Sequence, residues 1–188
     1  MKTFYSAALT ALFFLPLSYS EAKQTWSDTS IFNLKDEWKN QENKTFKIED
    51  FKGKPTVIAM VYTTCQHTCP IITSKVVSIR ESLLKKLQNK VQYSLISFDP
   101  EGDTPKVLSK YKKKRKLDKN WTLLTSDPRT VRQLAGVLGV NYKPMEGGGF
   151  SHSNIITLID KNGVIVEQIK TLNADNKTMV KKLKGLLK

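Results

Sequence analysis

Two cysteines are the residues of this sequence whose types and spacing most clearly point to chemistry. Cys65 and Cys69 are the only cysteines in the 188-residue chain, and three residues separate them. An apolar segment, 55–61, precedes the pair, and Pro70 begins the amphipathic stretch that follows it. This arrangement predicts a buried strand that ends at the cysteines and a helix that begins there. Two thiolates in such a place can ligate a soft metal ion, or can form and break a disulfide.

The spacing of the pair leaves both kinds of chemistry open. Proline suits the first turn of a helix, so Pro70 predicts that Cys69 lies near a helix N-terminus, where free N–H groups favour a thiolate. Residues four apart on a helix have Cβ atoms about 5–6 Å apart, whereas a disulfide requires roughly 3.5–4.5 Å. A disulfide therefore needs the loop to close, while the wider separation leaves room for an ion such as copper.

The elements that must position the cysteines alternate between strands and helices. Residue patterns predict strands at 45–50, 56–62, 91–98 and 121–124, and helices at 70–90, 105–116 and 126–138. A hairpin follows at 154–168, turning at Lys161-Asn162-Gly163, and a basic helix at 175–187 closes the chain. This order predicts an α/β domain over residues 45–188, with a central mixed sheet flanked by helices, as in the thioredoxin-like fold.

The two histidines of the chain differ in their relation to this fold. His67 lies between the cysteines, where we expect a polar loop residue that tunes the thiols. His152 lies at the end of a glycine-bearing loop, 141–153, just before the first strand of the hairpin. In a thioredoxin-like fold this loop packs against the cysteine loop, and simple oxidoreductases carry a cis-proline there. The last proline here is Pro144, so we predict that His152 takes that place as a third metal ligand.

The N-terminus predicts export from the cytoplasm. A positive start, an apolar run at 4–17 and small residues at 18–22 form the pattern of a cleavable signal peptide over residues 1–22. The apolar run is shorter than the roughly 20 residues of a membrane-spanning helix, although a retained membrane anchor is the alternative. Residues 23–44 then predict an N-terminal arm, tail-like or partly packed. The expected compartment is the periplasm, which is oxidising.

The chain is strongly basic, with a formal net charge of +14, and its densest basic run is 110–116. The simplest interpretation of that run is a solvated helix face. An acidic protein or anionic membrane headgroups are the alternative partners. We expect no nucleic-acid binding, because an exported protein seldom meets nucleic acid, and we expect a monomer.

Four segments carry a resemblance to a known family: 46–54, 62–70, 97–105 and 152–160. The Cys-x-x-x-Cys-Pro sequence, joined to a distant His-Ser before a strand, resembles the Sco/SenC family of copper chaperones. The resemblance implies a thioredoxin-like domain that binds one copper ion through Cys65, Cys69 and His152. It also implies delivery of copper, or of reducing equivalents, to the CuA centre of cytochrome c oxidase subunit II. Ser151 and Gly102 depart from the family, which usually has an acidic residue at the first position and often a basic one at the second.

More than one function is compatible with these residues. The first is a periplasmic copper metallochaperone. The alternative is a thiol–disulfide oxidoreductase, in which Cys65 and Cys69 form a redox-active pair that reduces the copper-ligand cysteines of a partner and is itself served by a thiol reductant protein. A peroxidase would need a positioned arginine, for which Arg80 is the nearest candidate. Asp99 ends a predicted strand near the cysteine loop, where it either orients a ligand or only caps an Asp-Pro turn.

Overall fold

Three parallel strands form the middle of the sheet. The computed structural model describes residues 25–188, and in it β3 (Thr56–Val61), β4 (Gln92–Ser97) and β5 (Trp121–Thr125) run parallel to one another. Every residue of β3 is buried, as expected of a central strand that is covered on both faces of the sheet. The carboxyl ends of β3 and β4 therefore lie side by side, which brings the segments that follow them to one edge of the sheet.

Antiparallel strands extend the sheet on both sides. β8 (Ile156–Ile159) pairs with β3 and carries β9 (Ile165–Ile169) beyond it. On the other side, β1 (Glu37–Asn40) pairs with β5 and with β2 (Thr45–Lys47). The resulting order is β2-β1-β5-β4-β3-β8-β9. The predicted α/β class, with a central mixed sheet and flanking helices, is confirmed.

Within residues 25–188, five helices accompany the sheet: α1 (Thr68–Glu81), α2 (Lys85–Gln88), α3 (Pro105–Lys114), α4 (Pro128–Leu138) and α5 (Lys177–Leu186). The start of α3 follows the sequence signal, since the Thr104 hydroxyl accepts a hydrogen bond from the Val107 N–H and Pro105 occupies the first turn. The predicted helix over 70–90 is divided into α1 and α2. The division occurs because Leu84 is extended and exposed while Leu83 turns into the core, and no glycine or proline marks it.

The segment before residue 45 packs more fully than the predicted arm. Ile31 and Phe32 form a short 3-10 helix whose side chains are buried, and Trp38 on β1 is only 1% exposed. Polar neighbours hide this burial in the sequence, because each apolar residue stands alone in a mainly polar stretch. The predicted strand 45–50 is correct only as far as Lys47, after which Ile48–Phe51 forms a 3-10 helix. The predicted signal peptide lies outside the described residues.

The glycine-bearing segment 141–153 is a small hairpin instead of a loop. Its strands are β6 (Tyr142–Pro144) and β7 (Phe150–His152), which pair antiparallel and form a separate two-stranded sheet. Three consecutive glycines with positive φ, Gly147 to Gly149, make the turn between them. His152 is therefore fixed by strand pairing with Tyr142. Within residues 25–188, no helix has both the length and the apolar character needed to cross a membrane.

Candidate metal centre

Three side chains from distant parts of the chain meet at the end of β3. The Sγ atoms of Cys65 and Cys69 and a ring nitrogen of His152 all lie within 4.8 Å of one another. Cys65 is in the loop between β3 and α1, Cys69 is in the first turn of α1, and His152 reaches them from β7. Both cysteines are buried and the histidine is half-buried, so little of the cluster meets solvent. The three residues proposed as ligands from the sequence are thus brought together.

The Cys65 sulfur lies across the N-terminus of α1. Its Sγ accepts a hydrogen bond from the Cys69 N–H at 3.4 Å and lies 3.9 Å from the Thr68 hydroxyl. Burial on its own would raise the pKa of Cys65. The backbone N–H groups of Cys69 and His67, with smaller help from the Cys69 and Thr68 side chains, outweigh burial and lower this pKa to about 6. Cys65 is therefore mainly a thiolate at neutral pH.

Cys69 has the opposite character. Its side chain is fully buried, and its Sγ accepts only a long hydrogen bond, 3.5 Å, from the Tyr62 N–H. Burial raises the pKa of Cys69 well above its usual value, and the nearby charges of Cys65 and Asp103 raise it further. The expectation that Cys69 would be the favoured thiolate is wrong. Although Cys69 is in the first turn of α1, the sulfur that accepts a hydrogen bond from the N–H groups at this helix end is that of Cys65.

Hydrogen bonds fix the ring of His152. Its Nδ1 lies 3.1 Å from the Ser153 carbonyl oxygen, which can only accept, so Nδ1 carries the proton. Its Nε2 then has a free lone pair, directed at the Thr68 hydroxyl (3.1 Å) and the Cys69 Sγ (3.6 Å). This is the tautomer that a metal-ligating histidine needs, with the second nitrogen held by the backbone.

Aromatic rings pack around the histidine. The ring centroids of Phe98 and Tyr62 lie 5.0 Å and 6.1 Å from that of His152, and Phe150 packs against both. The Tyr62 hydroxyl also accepts a hydrogen bond from the Phe150 N–H, which ties the hairpin to the end of β3. The imidazole therefore has little freedom to turn away from the sulfurs.

A buried carboxylate that sequence reasoning missed supports the cysteine loop. Asp103 is fully buried; it accepts hydrogen bonds from the backbone N–H and hydroxyl of Thr63 and from the Ser97 hydroxyl. Burial raises the pKa of this carboxyl, and these donors oppose the shift. Asp99, weighed from the sequence, instead accepts from the Gly102 N–H in a turn, as the capping interpretation predicts. A Cβ at Gly102 would collide with this Asp99 carboxylate, so a larger residue there would require the Asp99 side chain to shift.

Two further candidates from the sequence contribute no side chain to the cluster. His67 is exposed and precedes α1 without forming a side-chain cap. Arg80 lies at the far end of α1, where it forms an ion pair with Asp118. The arrangement required of a peroxidatic site, with an arginine beside the reactive thiol, is therefore not met by Arg80.

The donor set suits a soft metal ion. Two sulfurs and one imidazole nitrogen are ligands that copper, zinc and related ions accept, and copper accepts them in both of its common oxidation states. The same two sulfurs are close enough for thiol–disulfide chemistry, with a thiolate at Cys65 and a more deeply buried thiol at Cys69. Geometry alone thus supports a metal site and a redox pair built from the same atoms.

Comparison with known proteins adds the family. The model of the SCO1/SenC family matches residues 28–188. An SCO2-like protein of Rickettsia bellii is 29% identical over 174 residues, which cover 84% of this chain and 84% of that protein. The crystal structure of a SCO1/SenC family lipoprotein from Bacillus anthracis has a TM-score of 0.73 and 27% identity, covering 81% of this chain and 93% of that one.

A copper-loaded structure is also similar. The structure of Bradyrhizobium japonicum ScoI with copper bound is 28% identical, has a TM-score of 0.66, and covers 80% of this chain and 96% of that one. The family match extends from before β1 to the last residue and includes both cysteines and His152. With its mixed sheet, its Cys-x-x-x-Cys loop and its hairpin histidine, this chain belongs to the SCO1/SenC family.

Proposed function

We propose that this protein is a copper metallochaperone that binds one copper ion through Cys65, Cys69 and His152. The observation that carries the proposal is the convergence of these three side chains within 4.8 Å, with the Nε2 lone pair of His152 directed at the Cys69 sulfur. The copper bound in B. japonicum ScoI supports the choice of metal. We further propose the CuA site of cytochrome c oxidase subunit II as the recipient, and the periplasm as the compartment.

The chemistry of loading follows from the two thiols. Cys65 is already a thiolate near neutral pH, whereas Cys69 must lose a proton when a metal binds. Copper affinity should therefore rise with pH, because one proton leaves for each ion bound. Oxidation to a disulfide would remove two of the three ligands, so loading also requires that both thiols are reduced.

The test compares the two histidines of the chain. The reduced protein, His152→Ala and His67→Ala are titrated with Cu(I) and Cu(II) against a competing chelator. Loss of a ligand at His152 should weaken Cu(II) binding by more than about 100-fold, beyond the usual effect of a supporting residue. His67→Ala is the matched control and should bind as the wild type does. Equal affinity of all three proteins would refute the three-ligand site.

The asymmetry of the two thiols favours a second function, that of a thiol–disulfide oxidoreductase. The Cys65 thiolate would attack a partner disulfide, form a mixed disulfide and release the partner's other sulfur as a thiolate. Cys69 would then lose its proton and attack the Cys65 sulfur, which forms the Cys65–Cys69 disulfide and releases the partner's second sulfur as a thiolate. Cys69→Ser should trap the mixed disulfide, and Cys65→Ser should not. If the metal-free His152→Ala variant still reduces disulfides, the activity belongs to the two sulfurs alone. Failure of Cys69→Ser to trap any partner disulfide would exclude it.

Delivery to the recipient is tested separately. The copper-loaded protein is mixed with the reduced, metal-free soluble domain of subunit II, and the copper content of each protein is measured after separation. Transfer that requires reduced cysteines on both sides is the expected result. Retention of all copper by the loaded protein would refute subunit II as the direct acceptor.

A further inference from the structure

The basic run 110–116 is divided between two sides of α3. Val107, Lys110, Tyr111 and Lys114 recur at the spacing that places side chains on one face of a helix. These four residues, with Arg115 just after the helix, line one wall of a surface groove of about 570 Å³. Lys112, Lys113 and Lys116 line a different cavity on the other side of the helix. Only part of the basic run therefore faces the groove.

The opposite wall of the groove is the cysteine loop. Its lining there consists of Thr63 to Gln66 together with Pro70, so the groove includes Cys65. Cys69 and His152 do not line it. Of the three proposed ligands, Cys65 is thus the one that a molecule lying in the groove would contact. The sulfur of Cys65 would then be either a free thiolate or a ligand of the bound metal.

The cations of the groove have no anionic partner in the described structure. Among residues 25–188, none of the ion pairs uses Lys110, Lys114 or Arg115, and no acidic side chain lines the groove. Like charges gathered in a concave site strengthen the local field and attract anions. The groove is therefore an electropositive channel that leads to one reactive sulfur.

Arg115, which lines the groove, packs against the ring of Tyr111. Its guanidinium carbon lies 5.3 Å from the centroid of the Tyr111 ring, and its Nε is buried without a hydrogen-bond partner in the described residues. The Tyr111 hydroxyl is 3.1 Å from the Thr73 hydroxyl, which donates to the Cys69 carbonyl oxygen. The wall that carries the cations is thereby linked to the first turn of α1.

We infer that this groove docks an acidic segment of the protein that exchanges with Cys65, and this inference rests on the function proposed above. A concave channel with cations along one wall fits an extended chain bearing carboxylates. A membrane surface would instead contact the outward-facing lysines of α3, such as Lys106 and Lys113, and would not enter the groove. The docked carboxylates would place the partner's own sulfur beside Cys65.

The experiment uses Cys69→Ser, in which Cys65 is the only thiol. Two probes are compared: a glutamate-rich peptide whose cysteine is activated as a thiopyridyl disulfide, and uncharged dipyridyl disulfide. In each case the Cys65 thiolate attacks the probe's disulfide, a new disulfide forms, and thiopyridine leaves with the electron pair and is measured by its absorbance. The ratio of the two rate constants reports docking, because the uncharged probe corrects for any change in the reactivity of Cys65.

Charge reversal separates the groove from the rest of the helix. Lys110→Glu/Lys114→Glu should lower the ratio by at least about tenfold at low ionic strength, and added salt should remove the difference. Lys106→Glu/Lys113→Glu makes the same change in net charge on the same helix outside the groove, and its ratio should stay within about twofold of the wild-type ratio. An equal fall in both pairs would overturn the proposal, since net charge alone would then explain the rates.

Two further measurements keep the result decisive. Lys110→Gln/Lys114→Gln replaces the reversed pair if that pair unfolds, and it should lower the ratio in the same direction. Binding of the protein to vesicles of phosphatidylglycerol is compared with its binding to vesicles of phosphatidylcholine. If binding to the anionic vesicles requires Lys110 and Lys114 while the ratio of the peptide rate constants is unchanged by their substitution, the occupant is a membrane and the proposal is refuted. Neither assay contains copper, so failure of the copper site would leave a positive docking result intact.

Discussion

The different ionisation of the two thiols can be tested by alkylation at a series of pH values. With Cys65 at a pKa of about 6 and the pKa of Cys69 raised far above neutrality, iodoacetamide should modify Cys65 first at every pH up to 8. Burial reinforces the difference, because Cys69 is fully buried while Cys65 borders a groove. Only the pH is varied, so the test needs no change of sequence or of fold.

The size of the effect follows from the pKa of Cys65. At pH 7 a thiol of pKa about 6 is roughly 90% thiolate, and an unperturbed cysteine of pKa about 8.5 is roughly 3%, a gain of about 30-fold. The intrinsic nucleophilicity of a thiolate falls as its pKa falls, with a Brønsted slope near 0.4–0.5. This fall lowers the reactivity of the Cys65 thiolate about 13-fold and so offsets most of the gain. The net advantage at pH 7 is thus only about twofold. At pH 6 the thiolate gain is about 160-fold and the net advantage about tenfold.

The assay is digestion and mass spectrometry of each cysteine peptide after short exposure to iodoacetamide. The rate at Cys65 should rise with pH and reach half its maximum near pH 6, and the denatured protein should show the midpoint of an ordinary thiol at both positions. Since the folded pKa of Cys65 lies below the unfolded one, this thiolate stabilises the fold fully above about pH 8.5, and the contribution is lost as the pH falls through about 6. Earlier modification of Cys69, or a Cys65 midpoint near 8.5, would refute the assignment.

Four substitutions test the packing of the cysteine loop, of β1 and of the β6–β7 turn, each by urea denaturation. Asp103→Ala leaves buried donors without an acceptor and should lower the free energy of unfolding by about 3 kcal/mol. A decrease of less than about 0.5 kcal/mol would mean that the carboxylate does not stabilise the fold. Trp38→Ala should cost about 3–5 kcal/mol if β1 belongs to the core, and an arm that is not part of the core would cost far less. Gly149→Ala should cost more than Gly148→Ala. Both glycines have positive φ, but only at Gly149 would a Cβ meet the Tyr62 hydroxyl, at 3.0 Å, so equal losses would exclude that contact.

Several elements were predictable because their signals are local. The apolar run of β3, the Thr104-Pro105 start of α3 and the turn between β8 and β9 are written in consecutive residues, and the structure has them within a few positions. The hairpin at 141–153 was not predicted, since three glycines in a row indicate a loop more strongly than a turn between two short strands. The fully packed Trp38 was missed for a similar reason: one buried residue in a four-residue strand leaves no periodic pattern.

The sequence by itself determined which atoms can do the chemistry: two sulfurs four residues apart at a strand–helix junction, and one histidine before the last hairpin. Only the tertiary structure decided how those atoms behave. Cys65 lies across the helix N-terminus and Cys69 lies beneath it, so their pKa values move in opposite directions. Asp103 reaches the cysteine loop, and α3 turns Lys110 and Lys114 towards Cys65, because parallel strands end at one edge of the sheet. The contacts of Asp103 and of α3 with the cysteine loop join residues that are distant in sequence; Thr63 and Asp103, for example, are 40 positions apart. Contacts at this separation leave no pattern in the local spacing of residues.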